Sequence, residues 1–134
     1  MADLVLTASA IIAGSNATRD IGTAGETIVA GKAIYLDAAT SKWMLSDNNG
    51  TGTRQVHGIA LNGASLNQPV SMIKSGDLTV GSVLTAGTDY WLSATAGGVC
   101  PRADLATGMD TIQIGVAKSA TVLTVAIQDP GVTL

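Results

Sequence analysis

The feature that most constrains the fold is a hairpin pattern that occurs twice in the chain. Residues 56–61 and 69–74 alternate like two β-strands, and the polar link between them contains Asn62 and Gly63. The same pattern returns near the C-terminus, in residues 114–127. A chain that repeats a hairpin in this way is expected to build a sheet from similar halves.

The correspondence extends upstream of both hairpins. An Ala-Gly pair followed by an aromatic strand occurs at 30–38 and again at 86–94. Leu36 and Leu92 are 56 positions apart, whereas Gly58 and Gly115 are 57 apart, so the register slips by one residue. We interpret the pattern as a degenerate internal duplication of a strand–strand–hairpin unit within one domain.

Composition agrees with an all-β chain. Its 134 residues fit a single domain, and it has 16 Gly, no Phe, two Trp and two Tyr. Short apolar runs separated by Gly, Asn and Asp favour many short strands and tight turns. The sequence therefore predicts a jelly-roll-like β-sandwich or barrel of about eight to ten short strands.

Charge is scarce, which bears on possible partners. Only 13% of the residues are charged, about half the usual share, and the net charge is −3. The seven basic residues are scattered singly, so a nucleic-acid-binding surface is disfavoured. A surface so poor in charge suggests cover by neighbouring copies or a partner, and we expect a homo-oligomer, a dimer ahead of a trimer.

The N-terminal region differs from the rest. Residues 4–13 can form a strand, and Gly14–Glu26 is a polar run with three glycines and no period. We predict an N-terminal arm over residues 1–26, tethered flexibly to a β domain over residues 27–134 and laid on a neighbour. The alternative is an ordinary edge strand followed by a loop.

The inventory of reactive residues is thin. His57 is the only histidine and Cys100 the only cysteine, so neither a histidine metal cluster nor an internal disulfide can form. Asp47–Gly50 resembles the start of a calcium loop, but no acidic residue follows at the twelfth position. We predict no enzymatic activity, no metal and no cofactor.

The large aromatic rings have two interpretations. Tyr35, Trp43, Tyr90 and Trp91 are the only ones, and Tyr35 corresponds to Tyr90 or Trp91 in the duplication. We expect them to anchor the core between the two halves. The alternative is an exposed, sugar-binding aromatic platform.

The start of the sequence has no basic region followed by an uninterrupted apolar segment, as a signal peptide would. No apolar run approaches the ~20 residues that a membrane helix needs. We expect a soluble protein made in the cytoplasm, with no membrane partner.

Several glycine-punctuated strand patterns, taken in order, carry a family resemblance. They are residues 30–38, residues 57–70, Ser75-Gly76-Asp77, residues 86–93, residues 97–101 and Gly115-Val116-Ala117. Together they span nearly the whole chain. In this order and extent the sequence resembles head decoration, or cement, proteins of tailed bacteriophages, particularly those of short-tailed phages and related prophages.

The resemblance implies a function. Such a protein sits on the outer surface of the virion capsid, bridges major capsid subunits and stabilises the DNA-filled shell. It would be made in the cytoplasm of the bacterial host. Fibre or adhesin subunits and carbohydrate-binding β modules remain alternatives. We expect the contact residues to be Leu4, Leu6, Ile11, Ile12, Asn48, Asn49, Asn62, Leu66 and Asn67.

Overall fold

The predicted all-β fold is confirmed. The computed structural model describes residues 3–48 and 55–134, which form ten strands and two short 3-10 turns, Ala8–Ala10 and Arg102–Asp104. The strands form one antiparallel sheet that curls into a half-barrel. They are β1 Ile12–Ala13, β2 Thr18–Thr23, β3 Ala33–Asp37, β4 Lys42–Leu45, β5 Gly58–Ala60, β6 Pro69–Thr79, β7 Asp89–Leu92, β8 Val99–Pro101, β9 Gln113–Ala117 and β10 Val122–Gln128.

The duplication is visible in the strand pairing. The sheet runs β4-β3-β5-β6-β10-β9-β7-β8, so β3–β6 and β7–β10 form two units with the same internal order, which meet at β6 and β10. Ile34 pairs with Gly58 in the first unit, and Tyr90 pairs with Gly115 in the second. These pairs reproduce the offsets of 56 and 57 seen in the sequence.

Strand β6 joins all parts of the sheet. Its residues Met72 and Ile73 have partners in both β2 and β5, whereas Leu78 and Thr79 have partners in both β1 and β10. A strand has only two edges, so β6 is paired on both sides along most of its length. The sequence predicts this strand only as far as residue 74, with Ser75-Gly76-Asp77 leading into the segment that follows. Gly76 has a φ of +103° there, within the continuous strand.

The two units pack in a directional way. Ile34, Ala60 and Met72 point to one face of the first unit, which we call its front; their counterparts by pairing in the second unit are Tyr90, Ala117 and Leu123. The main core contains the front residues of the second unit. It also contains the back residues Ala33, Ile59 and Ile73 of the first unit. The back of the first unit therefore packs on the front of the second.

A smaller core covers the front of the first unit. Ala24, Ile28 and Ala64, which lie outside the named strands, pack there with Trp43 and Met72. Gly22 of β2 lies so close to the indole of Trp43 that a Cβ atom at this position would overlap Nε1 of Trp43. The segment that precedes β3 thus covers the front of the first unit.

The described N-terminal residues pair with and pack against the rest of the same chain, whereas the sequence predicts a separate arm over residues 1–26. In place of the strand predicted over residues 4–13 there is a 3-10 turn, Ala8–Ala10, followed by the two-residue strand β1. The predicted flexible run, Gly14–Glu26, contains the six-residue strand β2. Both strands pair with β6, and this tertiary pairing supplies an order that local sequence does not indicate.

Candidate interaction surface

The aromatic rings do not form an exposed platform. Tyr35, Trp43 and Tyr90 are buried, the last in the main core and Trp43 in the smaller one. Trp91 is partly exposed, but Cζ of Arg102 lies over its ring, 5.8 Å from the centroid. The one accessible ring is therefore already stacked.

Asp89 holds Trp91 and Arg102 together on the back of the second unit. Its Oδ2 accepts hydrogen bonds from Nε1 of Trp91 at 2.6 Å and from Nε of Arg102 at 2.9 Å. Burial raises the pKa of Asp89, but these hydrogen bonds outweigh it and hold the pKa below its ordinary value. The cluster is an internally satisfied surface feature.

His57 acts as a structural acceptor. Its Nδ1 accepts the backbone N–H of Leu36 at 2.8 Å, and its ring meets Trp43 edge-on, with 6.1 Å between centroids. Burial, together with the positive charge of Lys74, holds the pKa of His57 below its ordinary value. The imidazole is therefore neutral at pH 7, and its Nδ1 is already engaged by the N–H of Leu36.

Asp3, Cys100 and Asp104 bring two carboxylates and a thiol within 4.8 Å of one another. Asp3 already accepts a hydrogen bond from Oγ of Ser93 at 2.6 Å. Burial and the two neighbouring carboxylates raise the pKa of Cys100 to about 12. A thiol with this pKa stays protonated and is a poor nucleophile, so we assign this cluster no ligand and no chemistry.

Four of the predicted contact residues contribute to the body itself. Ile11 is buried in the main core, and Leu4 and Leu6 pack against that core. Asn48 is fully buried, and its Nδ2 donates to the carbonyl of Leu92 at 2.8 Å. These side chains hold the protein together. Asn49 lies outside the described residues.

The other four predicted contact residues lie nearer the surface. Ile12 and Leu66 are 61% and 57% exposed, and Asn67 is exposed, with its Oδ1 accepting from Nζ of Lys42 at 2.6 Å. Asn62 is half-buried, and its Oδ1 accepts from the N–H of Ser71, which fixes the β5–β6 turn. Ile12, Leu66 and Asn67 remain available to a partner.

An open groove runs along β1 and β2 and includes residues that the sequence did not indicate. It has a volume of about 720 Å³ and is lined by Ile11, Ile12, Ala13, Arg19, Asp20, Ile21, Leu61 and Ser71. Ile21 is 72% exposed, more than Ile12. The only sequence signal for Ile21 was its position between Thr18 and Thr23 in a polar run, too weak to predict a strand.

No helix among residues 3–48 and 55–134 is long and apolar enough to span a membrane. Comparison of the sequence with protein-family models and with curated proteins finds no match to either.

Proposed function

We propose that this protein is a capsid cement protein that binds the outer surface of a tailed-phage head and bridges neighbouring major capsid subunits. The observation that carries the proposal is the pair Ile12 and Ile21, two strongly exposed β-branched side chains beside one groove. A soluble protein with so few charges gains by covering such a surface. The family resemblance supplies the partner.

The mechanism rests on mass action. A clamp resists rupture when one molecule touches at least two shell subunits and binds the assembled lattice better than free subunits. Binding of this kind stabilises each site by about 2.7 kcal/mol at a hundredfold excess over the dissociation constant. Repeated over many sites, this term becomes a large barrier to the separation of subunits under internal DNA pressure.

The contacts are mainly apolar and backbone-mediated in this proposal, through Ile12, Ile21 and the loop of residues 62–68. Binding should therefore survive high salt, in contrast to binding that depends on phosphate contacts. We also propose that the protein self-associates, as a dimer ahead of a trimer, and that it has no catalytic role. Combined replacement of His57 by Gln and Cys100 by Ala should leave particle binding intact.

The test is to strip the protein from particles and add it back at low and at high salt. Decorated particles should retain DNA to higher temperature, or for longer under chelator, than stripped ones, and both salt conditions should restore retention. Equal DNA release from stripped and decorated particles would refute the cement function. Removal of the protein by moderate salt alone would refute the apolar mode of binding.

A further inference from the structure

The groove lies along a sheet edge that no strand occupies among the described residues. Among the described residues, strand β2 pairs with β6 on one side and with no other strand along residues 18–22. Beyond this stretch, Ala24 bridges Trp43 of β4, and the N–H of Gly25 donates to the carbonyl of Trp43, so the edge is covered from there on. The burial pattern of β2 is almost entirely exposed over Thr18–Thr23. An unpaired edge of this length, with no Lys or Pro to protect it, is a template for a further strand.

The outward direction of the β2 backbone follows from its partner. The backbone groups of Ser71 point toward the β5 side of β6. Its N–H donates to Oδ1 of Asn62, and its carbonyl accepts the N–H of Leu61. Ile21 faces Ser71 in the register, so its own N–H and C=O point away from β6. By alternation, the backbone groups of Arg19 also point outward, whereas those of Thr23 lie beside the bridge from Ala24 to β4.

One side chain guards this edge. Oδ1 of Asp20 accepts the outward N–H of Ile21 at 2.8 Å, and Oδ2 of Asp20 lies 3.4 Å from Nζ of Lys74. The carboxylate of Asp20 thus takes the place of a strand partner at the N–H of Ile21. The carbonyl of an incoming strand can displace it. Within residues 3–48 and 55–134, no side chain accepts the N–H of Arg19 in this way.

Charge at the groove is unbalanced. Asp20 is paired with Lys74, whereas Arg19 forms no ion pair within the described part of the chain. The surface therefore presents two apolar side chains, Ile12 and Ile21, and one unpaired positive charge beside free backbone groups. The complement of this surface is an extended strand with an apolar side chain and a carboxylate.

We propose that the outer edge of β2 is the docking site for one extended, acidic strand of the shell subunit, which adds to the sheet beside Arg19 and Ile21. This inference rests on the proposed cement function and names the surface and the partner chemistry. Backbone hydrogen bonds to the edge provide affinity, and the Ile12–Ile21 groove and Arg19 select the side chains.

The test compares particle binding of the whole protein and its variants. Ile21→Pro removes an outward N–H without breaking a hydrogen bond to β6, and proline is tolerated at such edge positions. Ile21→Lys and Arg19→Glu test the apolar and charged parts. Val132→Lys is the matched control, because Val132 is 51% exposed and lies outside the groove. Thermal unfolding of each variant checks its fold.

We expect at least tenfold weaker binding for Ile21→Pro, Ile21→Lys and Arg19→Glu, and unchanged binding for Val132→Lys. The amide of Arg19 should exchange quickly in the free protein, and the amides of Arg19 and Ile21 should become protected on particles. If Ile21→Pro unfolds the protein, Ile21→Lys and the amide exchange decide the outcome.

Three results would overturn the inference. Equal binding of wild type and a folded Ile21 variant, with unprotected edge amides on particles, would refute the docking site and leave the cement function standing. No binding of wild type to stripped particles would refute both. A wild-type dimer in sedimentation that Ile21→Pro or Ile21→Lys converts to monomer would identify a second copy, not the shell, as the occupant.

Discussion

At the scale of single residues, the side chain of His57 replaces a backbone acceptor in the sheet. Its own N–H is donated to the carbonyl of Ile34 at 2.9 Å, and its Nδ1 accepts the N–H of Leu36. The β3–β5 ladder is thereby extended one residue beyond Gly58, where β5 begins. Only an imidazole with an unprotonated Nδ1 can accept this bond, so the extension depends on pH.

Acid should weaken the protein through His57. Its folded pKa lies below its ordinary value, so the unfolded chain takes up a proton near pH 6.5 before the folded protein does. The contribution of His57 to stability is therefore full above about pH 6.5 and is lost as pH falls through the lowered folded pKa. Thermal unfolding between pH 8 and pH 5 checks this.

The control variant is His57→Gln, which retains an acceptor but does not titrate. Its unfolding midpoint should change less with pH over the same interval than that of wild type. An equal pH dependence in the two proteins would show that His57 is not the titrating group.

At the scale of elements, the N-terminal segment contributes to the core of the protein as well as to its exposed surface. Ile11 and Ile12 are neighbours in sequence, but Ile11 is 7% exposed and Ile12 is 61% exposed. The polar link between β1 and β2 is also fixed, since Oδ1 of Asn16 accepts the N–H of Asp77 at 3.0 Å. The segment therefore contributes the side chain of Ile11 to the main core and the side chain of Ile12 to the groove.

Replacing these two residues should separate the two roles. Ile11→Ala should lower the free energy of unfolding by about 2–5 kcal/mol, because it leaves a cavity in the main core. Ile12→Ala should change it by less than about 0.5 kcal/mol. Denaturant titration of both variants provides the measurement, and equal effects would show that Ile11 does not belong to the core.

The repeated hairpins could be predicted because their signal is local. Alternation, turn residues and spacing are enough to predict four of the strands and the duplication. Strand β2 could not be predicted in this way, because its order comes from pairing with β6, about 50 positions away.

The candidate site was only partly predictable for a related reason. Asn48 is polar and lies in the stretch Asp47–Gly50, whose sequence favours a surface turn. In the structure the N–H of Asp110 donates to the carbonyl of Asn48, and Nδ2 of Asn48 donates to the carbonyl of Leu92 in the interior. Ile12 and Leu66 were predicted and are exposed, whereas Ile21 and Arg19 were missed with the strand that carries them.

At the scale of the whole molecule, the main core joins the back of the first unit to the front of the second. If either unit unfolded, the apolar face of the other would be exposed to water. The two units should therefore unfold together. Trp43 reports on the smaller core of the first unit, and Cys100 is buried in β8 of the second.

The measurement uses both probes in one denaturant titration. In a Trp91→Phe variant the change in Trp43 fluorescence should coincide with the exposure of the Cys100 thiol to a disulfide reagent. The native thiol should react very slowly at pH 8, because it is buried and its pKa is about 12. Thiol exposure well before the fluorescence change would show that the second unit opens independently.

The directional packing of the two units also limits how the protein could grow by further duplication. The front of the first unit is capped by the chain itself, whereas on the back of the second unit Val116 is 40% exposed and Asp89 and Thr124 are partly exposed. There Asp89, Val116 and Thr124 replace the core residues Ala33, Ile59 and Ile73 of the first unit. A third unit stacked on this face would meet Asp89 and Thr124 where the second unit meets the apolar Ala33 and Ile73. These two polar side chains, rather than the topology, oppose the stacking of a further unit there.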